Sequence, residues 1–147
     1  IGIRISPIIE SIGINLKDTI SLIKILNTFD LDYIHLSCWD SFLKYDYKNF
    51  SEKTITEIIT ESFDNLPTII STGSIWSSNN AQNVLNQGAD LIGVARVGIP
   101  YPYWPKNISN INYNPKKPPF SIKTLKKAKL SKVFIDYMRN WKDFVID

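Results

Sequence analysis

The sequence predicts an α/β fold: the C-terminal half of a (β/α)8 barrel, strands five to eight, followed by a helical tail. Three observations predict it. Short apolar strands alternate with helices of ordinary length, the pattern of parallel strands joined by right-handed crossovers. The strands are nearly continuous hydrophobic runs, as expected when both faces are covered. Glycine-bearing turns follow the third and fourth strands. A dinucleotide fold would instead carry G-x-G-x-x-G after the first. In (β/α)8 barrels a phosphate site is often built from the loops after strands seven and eight.

The elements follow in order. Residues 2–6 form a short apolar strand containing Arg4 and stopped by Pro7. Leu16 to Phe29 reads as a helix capped by Asn15. Its buried stripe is Leu16, Ile20, Ile23 and Leu26, or else Leu22, Ile25 and Phe29. Asp32 to Ser37 is the second strand, and 38–50 is an aromatic-rich loop. Ser51 begins the second helix, with Ile55, Ile58, Ile59 and Phe63 along it. Residues 67–72 form the third strand. A third helix runs from a cap at Ser77 or Ser78 to Gln87 and closes at Gly88. Residues 89–95 form the fourth strand. Tyr101, Tyr103 and Trp104 pack a short helix, 109–120 is an irregular link, and 121–144 is helical with a break near Ser131. The domain expectation is a half-barrel over 1–108 and a linker with helical tail over 109–147.

Composition narrows the function classes. The 147 residues are 44% hydrophobic and 21% charged, which is globular composition with enough chain for one core. No apolar run approaches the roughly 18–20 residues that cross a bilayer. The net charge of +3 comes from lysines after residue 115, including Lys116, Lys117, Lys123, Lys126, Lys127, Lys129 and Lys132. They read as a solvated helix surface rather than a nucleic-acid face. The single cysteine, Cys38, excludes a disulfide framework and makes a reducing cytoplasm the natural compartment. The chain begins at Ile1, and a piece of a longer gene product is expected.

The chemistry concentrates at two turns. Gly73 lets the backbone approach a ligand closely, and Ser74 adds a hydroxyl donor. After the fourth strand, small Ala95 allows a second close approach, and Arg96 can grip phosphate oxygens in a bidentate contact. Inward N–H groups and a fixed cation are what a phosphate dianion needs. A surface Gly turn, and an Arg paired to a carboxylate, is the alternative.

Several blocks carry a family resemblance: Gly2-Ile3-Arg4-Ile5-Ser6-Pro7, Asp32-Tyr33-Ile34-His35-Leu36-Ser37, Ser71-Thr72-Gly73-Ser74-Ile75, residues 88–96 and Pro102-Tyr103-Trp104-Pro105-Lys106. In this order they resemble the NADH:flavin oxidoreductases of the old yellow enzyme family. The resemblance implies an FMN-dependent barrel passing hydride from NADH or NADPH, through FMN, to an activated alkene or similar acceptor. It places Arg4 beside the N1/O2 edge of the flavin, where a cation stabilises the reduced ring. The alternative is a buried Arg4 paired with a structural carboxylate, since a buried Arg must have a partner. It places the FMN phosphate on Gly73, Ser74, Ala95 and Arg96. The family commonly has Gly or Asn at the Ser74 position and Gly at the Ala95 position. Ser74 fits with a negative φ, and Ala95 fits where the amide is what the site uses.

The resemblance also implies what lies elsewhere. The first four strands, the substrate-binding His pair and the proton-donating Tyr have no counterpart here, so no catalytic or metal-binding residue is assigned. The lone His35 reads as a core or rim histidine. Cys38, Trp39 and Asp40 lie on the active-site rim, where pocket shaping and loop packing are both open. The N-terminal half is expected from the same gene product or from a pairing copy, or else the chain is an inactive remnant. A dihydrouridine synthase-like barrel acting on tRNA and a non-redox phosphate-binding fragment are the competing classes.

Overall fold

The computed structural model describes residues 1 to 147. They fall into two compact units, Ile1–Ile75 with Asn80–Gly93, and Trp76–Asn79 with Val94–Asp147. The elements of the first stretch are β1 (Gly2–Ile5), α1 (Leu16–Leu26), β2 (Tyr33–Ser37), β3 (Lys44–Tyr47), β4 (Phe50–Thr54), α2 (Ile55–Ser62), β5 (Thr68–Thr72), α3 (Ser78–Asn86) and β6 (Leu91–Gly93).

Strands β1, β2, β5 and β6 form a four-stranded parallel sheet in that spatial order. Chain order and spatial order therefore agree, with no reversal between them. The register aligns Arg4, His35, Ile70 and Leu91 in one row, and Ser37, Thr72 and Gly93 in another. The interleaved residues Ile34, Leu36, Ile69 and Ser71 point to the opposite face and are fully buried. Helix α2 packs there: Thr56 and Ser71, both without solvent exposure, share a hydroxyl–hydroxyl hydrogen bond of 2.9 Å.

The helices start where their caps dictate. Asn15 and Asp18 form a reciprocal capping box on α1, and Thr54 and Glu57 do the same on α2. Of the two stripes offered by the sequence, Leu16 and Ile23 of the first are buried, with Ile20 and Leu26 half-buried and Thr19 buried beside them, while Leu22, Ile25 and Phe29 are exposed. Gly88 has φ 97, and a Cβ there would come within 2.6 Å of Thr60 Oγ1. That hydroxyl donates to the Gln87 carbonyl at 3.1 Å, so α3 can end against α2 only on glycine.

One element differs from expectation. Residues 38–50 are not all loop, and Ser51 does not start a helix. Strands β3 and β4 form an antiparallel hairpin, and α2 begins at Ile55. The hairpin is held by polar groups. The Asp46 carboxylate accepts from Ser51 Oγ and the Glu52 amide, each at 2.9 Å. Period-2 hydrophobicity, the usual strand signal, is missing from Phe50-Ser51-Glu52-Lys53-Thr54.

The second unit contains α4 (Trp104–Asn107), β7 (Phe120–Ser121), α5 (Ile122–Lys127), α6 (Lys132–Met138) and β8 (Val145–Ile146). Its core gathers on Phe120, which meets Trp76, Tyr101 and Phe144 at ring-centre distances of 6.4, 6.0 and 5.3 Å. Buried Trp104 donates its indole N–H to the Trp76 carbonyl at 2.7 Å, whereas Tyr103 is exposed. The helical tail breaks as expected: Ser131 caps α6 through the Phe134 amide. The short parallel pairing of β7 with β8 is additional. No helix is long and apolar enough to cross a membrane.

The Thr56–Ser71 pair allows a direct energetic check. Thr56→Val strands the Ser71 hydroxyl in an apolar layer and should cost about 1–3 kcal/mol. Adding Ser71→Ala removes the orphan and should restore most of that loss. Denaturant unfolding of the two single variants and the double variant measures the cycle.

Candidate functional site

Ligands of parallel α/β sheets bind beyond the carboxyl ends of the strands. At that end the sheet presents Ser37, Thr72 and Gly93, with Arg4 and His35 one row below. Arg4 lies on the face opposite Ile34 and Leu36 and is exposed, which sets aside the buried, carboxylate-paired alternative. Exposed as it is, no desolvation cost forces a carboxylate partner on it. The guanidinium donates to Ser37 Oγ, and no Asp or Glu lies within ion-pair distance of it.

His35 shares a 2.6 Å hydrogen bond with Thr72 Oγ1 through Nε2. A Cβ on Gly93 would lie 2.0 Å from that hydroxyl and 3.2 Å from the imidazole nitrogen. Glycine is thus what lets the pair sit beside β6. Partial burial, reinforced by the Arg4 charge, holds the imidazole below its ordinary range. A neutral His35 leaves Arg4 as the fixed cation of this row.

The turn after β5 is clamped to the loop after β2. The Cys38 amide donates to the Thr72 carbonyl at 2.9 Å. Ser41 donates to the Gly73 carbonyl twice, from Oγ at 2.6 Å and from its amide at 3.3 Å. A Cβ on Gly73, whose φ is 146, would stand 2.7 Å from the Cys38 carbonyl oxygen. The protein's own loop, independently of any ligand, requires glycine here. Ser74 does not keep a negative φ; it adopts 55, the left-handed conformation that glycine or asparagine takes more easily. The chain leaves β5 through two successive positive-φ residues, and Ser74 Oγ donates to the Trp39 carbonyl at 3.4 Å.

Ala95 and Arg96 follow β6 in the second unit, whereas Arg4, Gly73 and Ser74 belong to the first. Ala95 has φ −126, so its position needs no left-handed backbone. It is exposed, and Arg96 is half-buried at the start of a 3-10 turn through Gly98. Sequence reasoning passed over Ser37, Thr72 and Gly93 as site residues. Their signal is positional: each ends its strand, and the register sets them side by side.

Three outcomes test this geometry. Gly73→Ala must displace the 38–41 loop and should destabilise the fold by more than about 2 kcal/mol in denaturant unfolding. Ser74→Gly relieves the left-handed serine and should stabilise by up to about 1 kcal/mol. His35 should titrate below its ordinary 6.5 by NMR. Because the folded value is the lower one, its contribution to stability is complete above the unfolded value. It declines as pH falls through about 6.5 towards the folded value. His35→Gln should remove that part of the acid dependence.

No family model matches the chain. Two curated relatives do. A probable NADH-dependent flavin oxidoreductase of Bacillus subtilis, YqiG, is 30% identical over 105 residues, covering 71% of this chain and 28% of that protein. The NADH:acrylate oxidoreductase of Vibrio harveyi is 33% identical over 117 residues, covering 75% of this chain and 11% of that protein. The chain thus spans 28% and 11% of the length of these relatives. Both matches are oxidoreductases whose names include NADH, and they support the resemblance to the old yellow enzyme-like family.

Proposed function

We propose that this chain supplies strands five to eight, and the FMN end, of a (β/α)8 NAD(P)H oxidoreductase acting on an activated alkene or a similar acceptor. The observation that carries the reading is Arg4. An exposed guanidinium without a carboxylate, steadied by Ser37, suits an anionic ring edge better than a structural ion pair. FMN, when bound, supplies the hydride relay from NAD(P)H to the acceptor. Arg4 then stabilises negative charge at the N1/O2 edge. By the resemblance, Gly73 and Ser74 in the first unit and Ala95 and Arg96 in the second are each assigned to the phosphate, and neutral His35 keeps a second full charge away from Arg4 while the oxidised ring is neutral. The names of both relatives include NADH, and one name specifies acrylate.

The half-barrel part of the reading rests on the sheet. Sequential parallel order without reversal suits a closing barrel rather than a doubly wound sheet. One face is buried and the other is polar and partly exposed, as a barrel interior would be before its other half is added. The exposed Leu22 and Ile25 of α1, with Phe29 just beyond its end, suit a neighbouring helix of that other half. The substrate-binding histidines and the proton donor would reside there, so this chain alone completes no turnover.

Co-expression with the N-terminal part of the Bacillus subtilis relative tests the proposal. The expected product is yellow, with one FMN per complex. Colourless protein that retains no flavin would overturn the reading. In the yellow complex, Arg4→Gln should lower the flavin potential by about 30 mV or more, which is roughly 1.4 kcal/mol for a two-electron couple. Arg96→Ala should weaken FMN about ten- to a hundred-fold and leave riboflavin affinity unchanged, because riboflavin lacks the phosphate.

A further inference from the structure

The first unit holds a cavity of about 380 Å³ lined by none of the residues assigned above to the flavin. It lies where β1 and β2 end. Ile8 and Glu10 come from the segment after β1, Trp39 and Asp40 from the loop after β2, and Tyr45 from β3. Its size is that of a small-molecule pocket. Leu43 and Ile55 add apolar wall, and Trp39 is 76% exposed, so an indole stands in solvent at this end of the sheet.

The charge in this cavity is one-sided. Glu10 and Asp40 line it, and neither forms an ion pair. Asp40 spends one oxygen, Oδ1, on the Phe42 amide at 2.9 Å. The remaining titratable groups stay uncharged. Burial, then the Asp40 charge, pushes the Cys38 thiol up to about 12. Burial and the neighbouring Cys38, Glu10 and Asp40 push the Tyr45 phenol up as well. Two carboxylates, a neutral phenol and an indole converge with no cation among the lining residues. Carboxylates with aromatic faces are the groups that receive an organic cation.

We propose that this cavity is the acceptor pocket, and that it takes an organic acceptor bearing a positive charge and turns away carboxylates. The acceptor role rests on the flavin reading above; the charge preference stands without it. An ammonium group would sit between Glu10 and Asp40 with its apolar part against Ile8, Leu43 and the Trp39 ring. A carboxylate would meet two like charges in a partly desolvated space.

The test uses the 147-residue chain itself, isotope-labelled for NMR. Benzyltrimethylammonium should shift the Trp39 indole and Tyr45 resonances and bind at least about tenfold tighter than benzoate. The advantage should shrink with added salt. The double variant Glu10→Gln, Asp40→Asn keeps the Asp40-type acceptor for the Phe42 amide. It should bring the two probes to near parity with an unchanged spectrum elsewhere. Benzoate binding as tightly as the ammonium probe would overturn the proposal. So would shifts confined to residues outside the cavity, or a preference that survives in the double variant. A chain that prefers the cation yet never takes up FMN in the co-expression experiment would keep the pocket and remove only the flavin reading.

Discussion

Parallel strands joined by crossovers bury one face beneath their own helices and depend on a second layer for the other. Here the first condition is met. Ile34, Leu36, Ile69 and Ser71 are sealed, and the Thr56–Ser71 bond ties α2 to β5 inside that layer. The other face carries Arg4, His35, Ser37 and Thr72, which are exposed or half-buried. The rest of the account depends on this inequality. It explains why an arginine sits in an apolar strand without a carboxylate, and why sequential strand order matters.

The carboxyl-end turns are shaped before any ligand arrives. Gly73 is demanded by the Cys38 carbonyl, and Gly93 by the Thr72–His35 pair. Ser41 and Cys38 lock the loop after β2 onto the end of β5. Such internally fixed positions reduce the ordering cost of binding. The same clamped loop carries Trp39 and Asp40 into the lining of the acid-lined cavity, so a single loop joins the turn after β5 to that cavity.

Much of this was legible in the sequence, for physical reasons. The four parallel strands announce themselves by continuous apolar runs, the first helix by its Asn15 cap, the third by Gly88 at its end and the tail by its break near Ser131, whereas the Thr54 cap of α2 was passed over for Ser51. The β3–β4 hairpin was not legible, because Asp46 hydrogen bonds hold it rather than an alternating apolar pattern. The conformation of Ser74 was hidden as well: a serine does not advertise a positive φ, and its hydrogen-bond partner, the Trp39 carbonyl, is far away in sequence. Arg4 was identified as the residue to watch, but its exposure depends on which layer covers β1, a fact of tertiary structure. The hydroxyls of Ser37 and Thr72 became recognisable only once the register set them side by side.

The central claim is that the polar sheet face and the outer edge of β1 are surfaces built to be covered by another four strand–helix units. Amide hydrogen exchange of Gly2–Ile5, measured on the chain alone and in the flavin-loaded complex with an N-terminal half, tests it most directly. The account predicts that exchange at these amides slows by at least about tenfold in the complex, while the already buried β5 amides change little. Equal exchange of β1 in both samples would contradict it.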